Sequence, residues 1–161
     1  MKVEEILNKL NELEITFEKI DHKPVYTIDE MNELGPGFFK GACICKNLFM
    51  RDQKGKRHFL YVLREEKRAN LSELATKIES TKLSFASDER LKRYLNVEKG
   101  AVTPLAVIFD KEHAVEVILD KDLLNEEYVG VHPGVNTSTI LLSSKELVRY
   151  IESNGNKIKE I

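Results

Sequence analysis

Residues 42–51 and 58–64 are two strand-like apolar runs separated only by Asp52-Gln-Lys-Gly-Lys-Arg57. A parallel pair would need a crossover of about a dozen residues or more, so a connector this short and polar leaves an antiparallel hairpin. Several other connections in the chain are as short. The expected fold class is therefore α/β (α+β-like), one domain over residues 1–161, with a mixed and mostly antiparallel sheet packed with helices.

The remaining patterns fill in that frame. Val3, Ile6, Leu7, Leu10 and Leu13 fall on one helical stripe, and residues 15–20 alternate apolar and polar as a half-buried strand does. Thr27-Ile-Asp-Glu30 is a capping-box pattern before a short helix that Gly35-Pro36-Gly37 must stop. Leu71, Leu74, Ala75 and Ile78 mark a helix from about Asn70, and residues 83–86 read as a short strand. Ser87 can cap a helix carrying Leu91, Tyr94 and Leu95. Residues 105–109 and 115–119 read as a second hairpin across Asp110–His113, and residues 139–142 as a further strand after the loop 130–137. Ser143-Ser-Lys-Glu146 opens a last helix that ends at Asn154-Gly155.

At 161 residues, 42% hydrophobic and 32% charged, the chain has the makings of a single core. No apolar run approaches the roughly 18 residues of a membrane span, and the first residues are acidic and amphipathic. A membrane or secretory role is not expected, and the cytoplasm is the expected location. Cys43 and Cys45 are one residue apart, pointing the same way on a strand, too close for an ordinary disulfide and without zinc-ligand spacing. Walker, Gly-x-Gly-x-x-Gly, Gly-x-Ser-x-Gly and His-Glu-x-x-His motifs are absent. No metal or cofactor is expected, and chemistry by positioning is favoured.

Net charge is only −2, but residues 40–68 hold nine Lys or Arg against three acids. A local excess of six positive charges on an acidic body fits either a phosphate-backbone contact or a solvated, charged hairpin.

Three features exceed what packing requires. Lys46 interrupts an apolar strand, and such a lysine either meets an anion or carbonyl in a pocket or lies on the solvent face of an edge strand. Gly100-Ala-Val-Thr-Pro104 is either ordinary loop punctuation or a turn aiming amides at a developing oxyanion. Val131-His-Pro-Gly-Val-Asn-Thr137 offers a histidine and an amide side chain in a loop, structural or substrate-positioning. His22, His58 and His113 suggest no role.

Together these features resemble the YbaK/prolyl-tRNA editing family, and more narrowly the free-standing PrdX/ProX type, similar to the editing domain inserted in bacterial prolyl-tRNA synthetases. The likeness runs nearly end to end. It is carried by residues 45–55 (CKNLFMRDQKG), Leu83-Ser-Phe-Ala-Ser87 with Glu89-Arg-Leu91, Gly100–Leu105 and His132–Thr137 in shared order and spacing.

The resemblance implies a YbaK-like fold and an aminoacyl-tRNA deacylase acting in trans on mischarged tRNA(Pro), with alanine the expected amino acid. It implies water positioned with help from the terminal ribose hydroxyl and no cofactor. Lys46, Gly100 and His132 are then the catalytic set. Asn47, Thr103, Pro104 and Asn136 bind substrate, and Arg51, Lys54, Lys56 and Arg57 contact the tRNA. The implied partners are the acceptor stem of aminoacyl-tRNA and, as a candidate, prolyl-tRNA synthetase, with neither DNA nor membrane. Gly134 and Ser138 depart from the family pattern, where a bulkier residue and an alanine are common. Deacylation of Cys- or Ser-tRNA, and tRNA binding without turnover, stay open as alternatives.

Overall fold

Strand β3 (His58–Arg64) is apolar on both faces, and this makes it the centre of the molecule. In this computed structural model, which describes residues 2–25, 28–35 and 37–161, Leu60 and Val62 point into one core while Phe59, Tyr61 and Leu63 point into another. The first core packs α1 (Lys2–Glu12), α4 (Asp88–Leu95) and α6 (Ser144–Asn154) against the sheet. The second is closed by α3 (Leu71–Lys77), through Leu74 and Ala75, and by Ile78 just beyond it.

Around β3 the strand order is β1-β7-β6-β2-β3-β5-β8, with β4 also on β2. The strands are β1 (Phe17–Asp21), β2 (Cys43–Arg51), β4 (Ser84–Phe85), β5 (Val115–Leu119), β6 (Tyr128–Val131), β7 (Ser138–Ser143) and β8 (Ile158–Glu160). The β1–β7, β6–β7, β2–β3 and β2–β4 pairs are antiparallel, and β2–β6, β3–β5 and β5–β8 are parallel. Helix α2 (Ile28–Glu33) and the short α5 (Lys121–Leu124) complete the fold. No helix among the described residues is long and apolar enough to cross a membrane.

The hairpin is built as its connector requires. Asp52, 8% exposed, accepts the amides of Lys56 at 2.8 Å and Arg57 at 3.1 Å, wrapping the turn around its carboxylate. Asn70, Ser87 and Ser143 cap α3, α4 and α6 by accepting the amides of Glu73, Arg90 and Glu146. The expected cap Thr27 and the Pro36 of the expected stop lie outside the described residues.

One expected strand is a helix. Pro104–Phe109 forms a 3-10 helix, because the Thr103 hydroxyl accepts the Leu105 amide at 3.2 Å and Pro104 suits a first helical turn. The expected second hairpin therefore does not form, and β5 instead pairs in parallel with β3, His58 against Val115 through Val62 against Leu119. Strand β6 includes Gly130, where the sequence predicts the start of a loop. A Cβ on Gly130 would lie 2.5 Å from Ile44 Cδ1, so the glycine is what lets β6 close on β2.

Candidate functional site

The pairing of β2 changes partner halfway along one edge. Its first residues pair with β6, Cys43 with Val129 and Ile44 with Gly130, and its last pair with β4, Met50 with Phe85 and Arg51 with Ser84. Between them, residues 45–48 have no strand partner on that edge. The 100–104 loop is tied to this stretch through Asn47, and the 132–137 loop leaves the end of β6 next to it.

Alternation along β2 sorts its side chains. Cys43, Cys45 and Phe49 pack on the larger core, whereas Leu48 and Met50 pack on the α3 side. Asn47 goes with the first set, and its Nδ2 donates to the Val102 carbonyl at 3.1 Å. Its Oδ1 is buried with no partner among the described residues. Lys46 goes with the second set, and its ammonium donates to the Lys67 carbonyl.

The β2–β6 ladder ends at Ile44 and Gly130, two residues before Lys46 on one strand and His132 on the other. The Gly130 position faces Ile44, so His132, two residues on, shares the face of Ile44 and Lys46. The expected catalytic set is thus divided. Lys46 and His132 belong to one face of the open edge, while the Gly100 loop reaches it from the other face through Asn47.

His132 is partly buried, and its Nδ1 meets the Ser138 carbonyl at 3.0 Å. A carbonyl only accepts, so Nδ1 carries the proton and Nε2 is the acceptor of the ring, with no hydrogen bond among the described residues. Burial holds this imidazole below its ordinary pKa; the Ser138 bond opposes that shift and the nearby His22 adds to it. The neutral ring is therefore favoured at pH 7. His22, given no role above, accepts or donates at Thr139 Oγ1 over 2.7 Å and packs edge-on to Phe39. Only the long-range β1–β7 pairing brings it near His132, so no local signal could have found it.

Gly100 has φ +93°, the left-handed turn that starts the loop. Thr103 is fully buried, its hydroxyl used as the helix cap, and Pro104 is buried behind it. The Ala101 amide is bonded to Glu98, but the amides of Val102 and Thr103 donate to no protein group among the described residues. Asn136 stands in the 132–137 loop. Gly134 faces Ile6 and Lys2 of α1, and Ser138 donates to Asp21 Oδ1 at 2.7 Å.

Four of the nine basic residues of the stripe are paired in three dimensions. Lys40 pairs with Glu18, Arg57 with Glu116, Arg64 with Glu66 and Glu126, and Lys67 with Asp120 and Asp122. Arg57, expected to contact tRNA, also donates to the Glu79 carbonyl at 3.0 Å and lies over the Phe59 ring. Its guanidinium braces the hairpin against β5. Arg51, Lys54 and Lys56 form no ion pair among the described residues, and Lys54 and Lys56 are exposed at the tip.

Both cysteines are free. Burial pushes the Cys43 thiol up to about 11 and raises that of Cys45 as well, so neither is a ready nucleophile. Among the described residues no cluster of three His, Cys, Asp or Glu is placed to hold a metal ion. A hollow of about 540 Å³ beside the start of β2, lined by Phe38, Phe39, Ile44, Arg64 and Glu65 among others, includes none of Lys46, Asn47, Gly100, Thr103 or His132. The open edge is the candidate site.

Residues 22–150 match the family described as the aminoacyl-tRNA editing domain. The chain belongs to that family. As an editing domain it is an aminoacyl-tRNA deacylase, a carboxylic ester hydrolase. It is 44% identical over 156 residues to the prolyl-tRNA editing protein ProX of Acetoanaerobium sticklandii, covering 97% of this chain and 94% of that one. It is 33% identical over 153 residues to the prolyl-tRNA synthetase associated domain-containing protein 1 of Danio rerio, covering 94% and 80%. Two solved structures share the editing-domain fold. The hypothetical protein APE2540 superposes with a TM-score of 0.75 at 22% identity, over 99% of this chain and 98% of that one. A candidate trans-editing enzyme for prolyl tRNA synthetase gives 0.73 at 18% identity, over 99% and 95%.

Proposed function

We propose that the protein deacylates mischarged tRNA(Pro) in trans, with alanyl-tRNA(Pro) as its substrate, at the open edge of β2. The observation that carries this reading is the partner-free stretch 45–48, bounded by the Gly100 loop through Asn47 and by the His132 loop through the β2–β6 register.

Water attacks the ester carbonyl, a C–O bond forms, and the bond to the ribose oxygen breaks. The products are free alanine and a tRNA with its terminal hydroxyls restored. Negative charge develops on the carbonyl oxygen, and the amides of Val102 and Thr103, which have no partner among the described residues, suit that oxygen in a loop held by Asn47. An aminoacyl ester is already labile, so orientation of water and stabilisation of the oxyanion supply much of the acceleration. The terminal ribose hydroxyl takes part in orienting the water. Lys46, a point charge on the His132 face, holds the terminal nucleotide, and Asn47 Oδ1 accepts from the substrate. His132, fixed by Ser138, limits the size of the amino acid admitted; alanine, smaller than proline, enters where proline is refused. Arg51, Lys54 and Lys56 meet the acceptor stem, and prolyl-tRNA synthetase is a candidate partner that would deliver it.

Single-turnover loss of the ester from alanyl-tRNA(Pro) tests the site. Wild type is expected to exceed the spontaneous rate, and Lys46→Ala to lose most of that excess. Hydrolysis by Lys46→Ala at the wild-type rate would remove Lys46 from the mechanism.

A further inference from the structure

We propose that Phe85 is a stacking platform for an unpaired base of the tRNA 3′ end, beside the nucleotide that carries the amino acid. The proposal rests on the editing reading and extends it to a residue to which that reading gives no task.

Phe85 is 61% exposed, and among the described residues only Tyr128, at 53%, is another large apolar side chain so open to solvent. A single exposed phenylalanine is unremarkable in itself. Its position is the point. Phe85 pairs with Met50 across the β2–β4 ladder, and partners across a ladder point to the same face. Met50 lies on the α3 side of β2, the side to which Lys46 also points. Lys46 and Met50 are four residues apart, about 13 Å at ~3.3 Å per residue. Phe85 therefore closes one end of the partner-free edge, on the Lys46 side, within a few nucleotides of it.

The surroundings suit a polyanion. Arg51, the neighbour of Met50, alternates to the opposite face of β2, and its guanidinium donates to the Asp52 and Gln53 carbonyls at the hairpin tip. Residues 81–85 are tied to the hairpin tip by the Gln53 amide donating to Thr81 Oγ1 at 3.0 Å, which brings Lys54 close, and Lys82 is exposed on the same segment. The nearby acids Asp88 and Glu89 sit in the first turn of α4, where the helix N-terminus favours them. Tyr128, by contrast, follows Glu126 and Glu127 and shares its hollow with Lys40, a cation already paired with Glu18. An exposed aromatic among cations is the arrangement by which proteins hold single-stranded nucleic acid without reading its sequence.

The test measures the affinity of full-length protein for uncharged tRNA(Pro), and for the same tRNA trimmed of its unpaired 3′ nucleotides. Phe85→Ala and Phe85→Leu are expected to weaken binding of intact tRNA about tenfold, as for one base stacked on an aromatic ring. Phe85→Tyr and Phe85→Trp are expected to stay within about twofold, because they keep the π-face. The trimmed tRNA is expected to bind all five proteins alike, and melting temperatures to be unchanged for so exposed a residue. Wild-type affinity of Phe85→Ala for intact tRNA, as a protein-docking role would give, overturns the proposal. So does an equal loss on trimmed tRNA, or the retention of affinity by Phe85→Leu. Failure of the editing reading shows separately, as no ester loss by wild type, because uncharged tRNA reports Phe85 without turnover.

Discussion

Asn47 reaches the Val102 carbonyl with its amide nitrogen at 3.1 Å while its own carbonyl oxygen is buried without a partner among the described residues. The first contact fixes the Gly100 loop to the edge of β2. The second is a standing expense, because a buried acceptor left unmade costs about 1–3 kcal/mol. Under the proposed function, that oxygen accepts from the substrate.

Asn47→Ala is therefore expected to separate stability from activity. It loses one hydrogen bond but also one unsatisfied oxygen, so unfolding free energy is expected to stay within about 1 kcal/mol of wild type. Deacylation is expected to fall at least about tenfold as the loop amides lose their anchor. Denaturant melts and single-turnover rates check the two halves. A large loss of stability with unchanged turnover would make Asn47 a packing residue.

The buried histidines set a pH dependence. Burial holds His132 below its ordinary pKa, and burial together with the Arg90 charge does the same for His58. From about 6.5 down to those lowered values the unfolded chain binds protons that the folded one refuses, so stability falls as pH drops. His132→Asn is expected to flatten part of this fall between pH 7 and 5, with His58 supplying the remainder. Melting temperature against pH measures it; an unchanged slope would mean that His132 is not buried in solution.

The hairpin cations are expected to divide by their partners. Arg57→Ala breaks the pair with Glu116 and the contact over Phe59, so it is expected to lower stability by about 1 kcal/mol with little change in the salt dependence of tRNA binding. Lys54→Ala with Lys56→Ala is expected to leave stability alone. The pair should reduce the log–log salt slope by about 2, one for each lost phosphate contact. Binding isotherms at several salt concentrations distinguish them.

Gly130→Ala tests the joint between β2 and β6. A methyl group there meets Ile44 Cδ1 at 2.5 Å, so the strands must part or Ile44 must move. The expected destabilisation is about 1–3 kcal/mol, as for overpacking, with loss of activity because His132 shifts against Lys46. Chemical denaturation and turnover report both.

How far the sequence reveals this molecule depends on the range of each interaction. The 42–64 hairpin and the caps at Asn70, Ser87 and Ser143 are legible because each is settled within a few residues. The 105–109 run misleads because β-branched and aromatic residues outweigh the quieter signal of Thr103 and Pro104, which start a helix. Strand β6 is hidden by Gly130, a residue poor in strands whose use is visible only once Ile44 lies against it. Strand β8 is a short piece whose partner β5 is some forty residues away. At the site, the chemistry of Lys46, the Gly100 loop and His132 is suggested by residue type. That Lys46 and His132 share a face, and that Asn47 rather than Lys46 holds the loop, requires the register of strands distant in sequence. The +6 stripe reads as free charge only because Glu18, Glu116, Asp120 and Glu126 come to it from elsewhere in the chain.

The most direct measurement is single-turnover ester loss from one tRNA(Pro) charged in turn with alanine, serine, cysteine and proline. Alanyl-tRNA(Pro) is expected to be cleared well above its spontaneous rate, prolyl-tRNA(Pro) to be spared, and Lys46→Ala to abolish the difference. Clearance of alanine no faster than in buffer, or removal of proline as fast as alanine, would contradict an editing site at the open edge of β2.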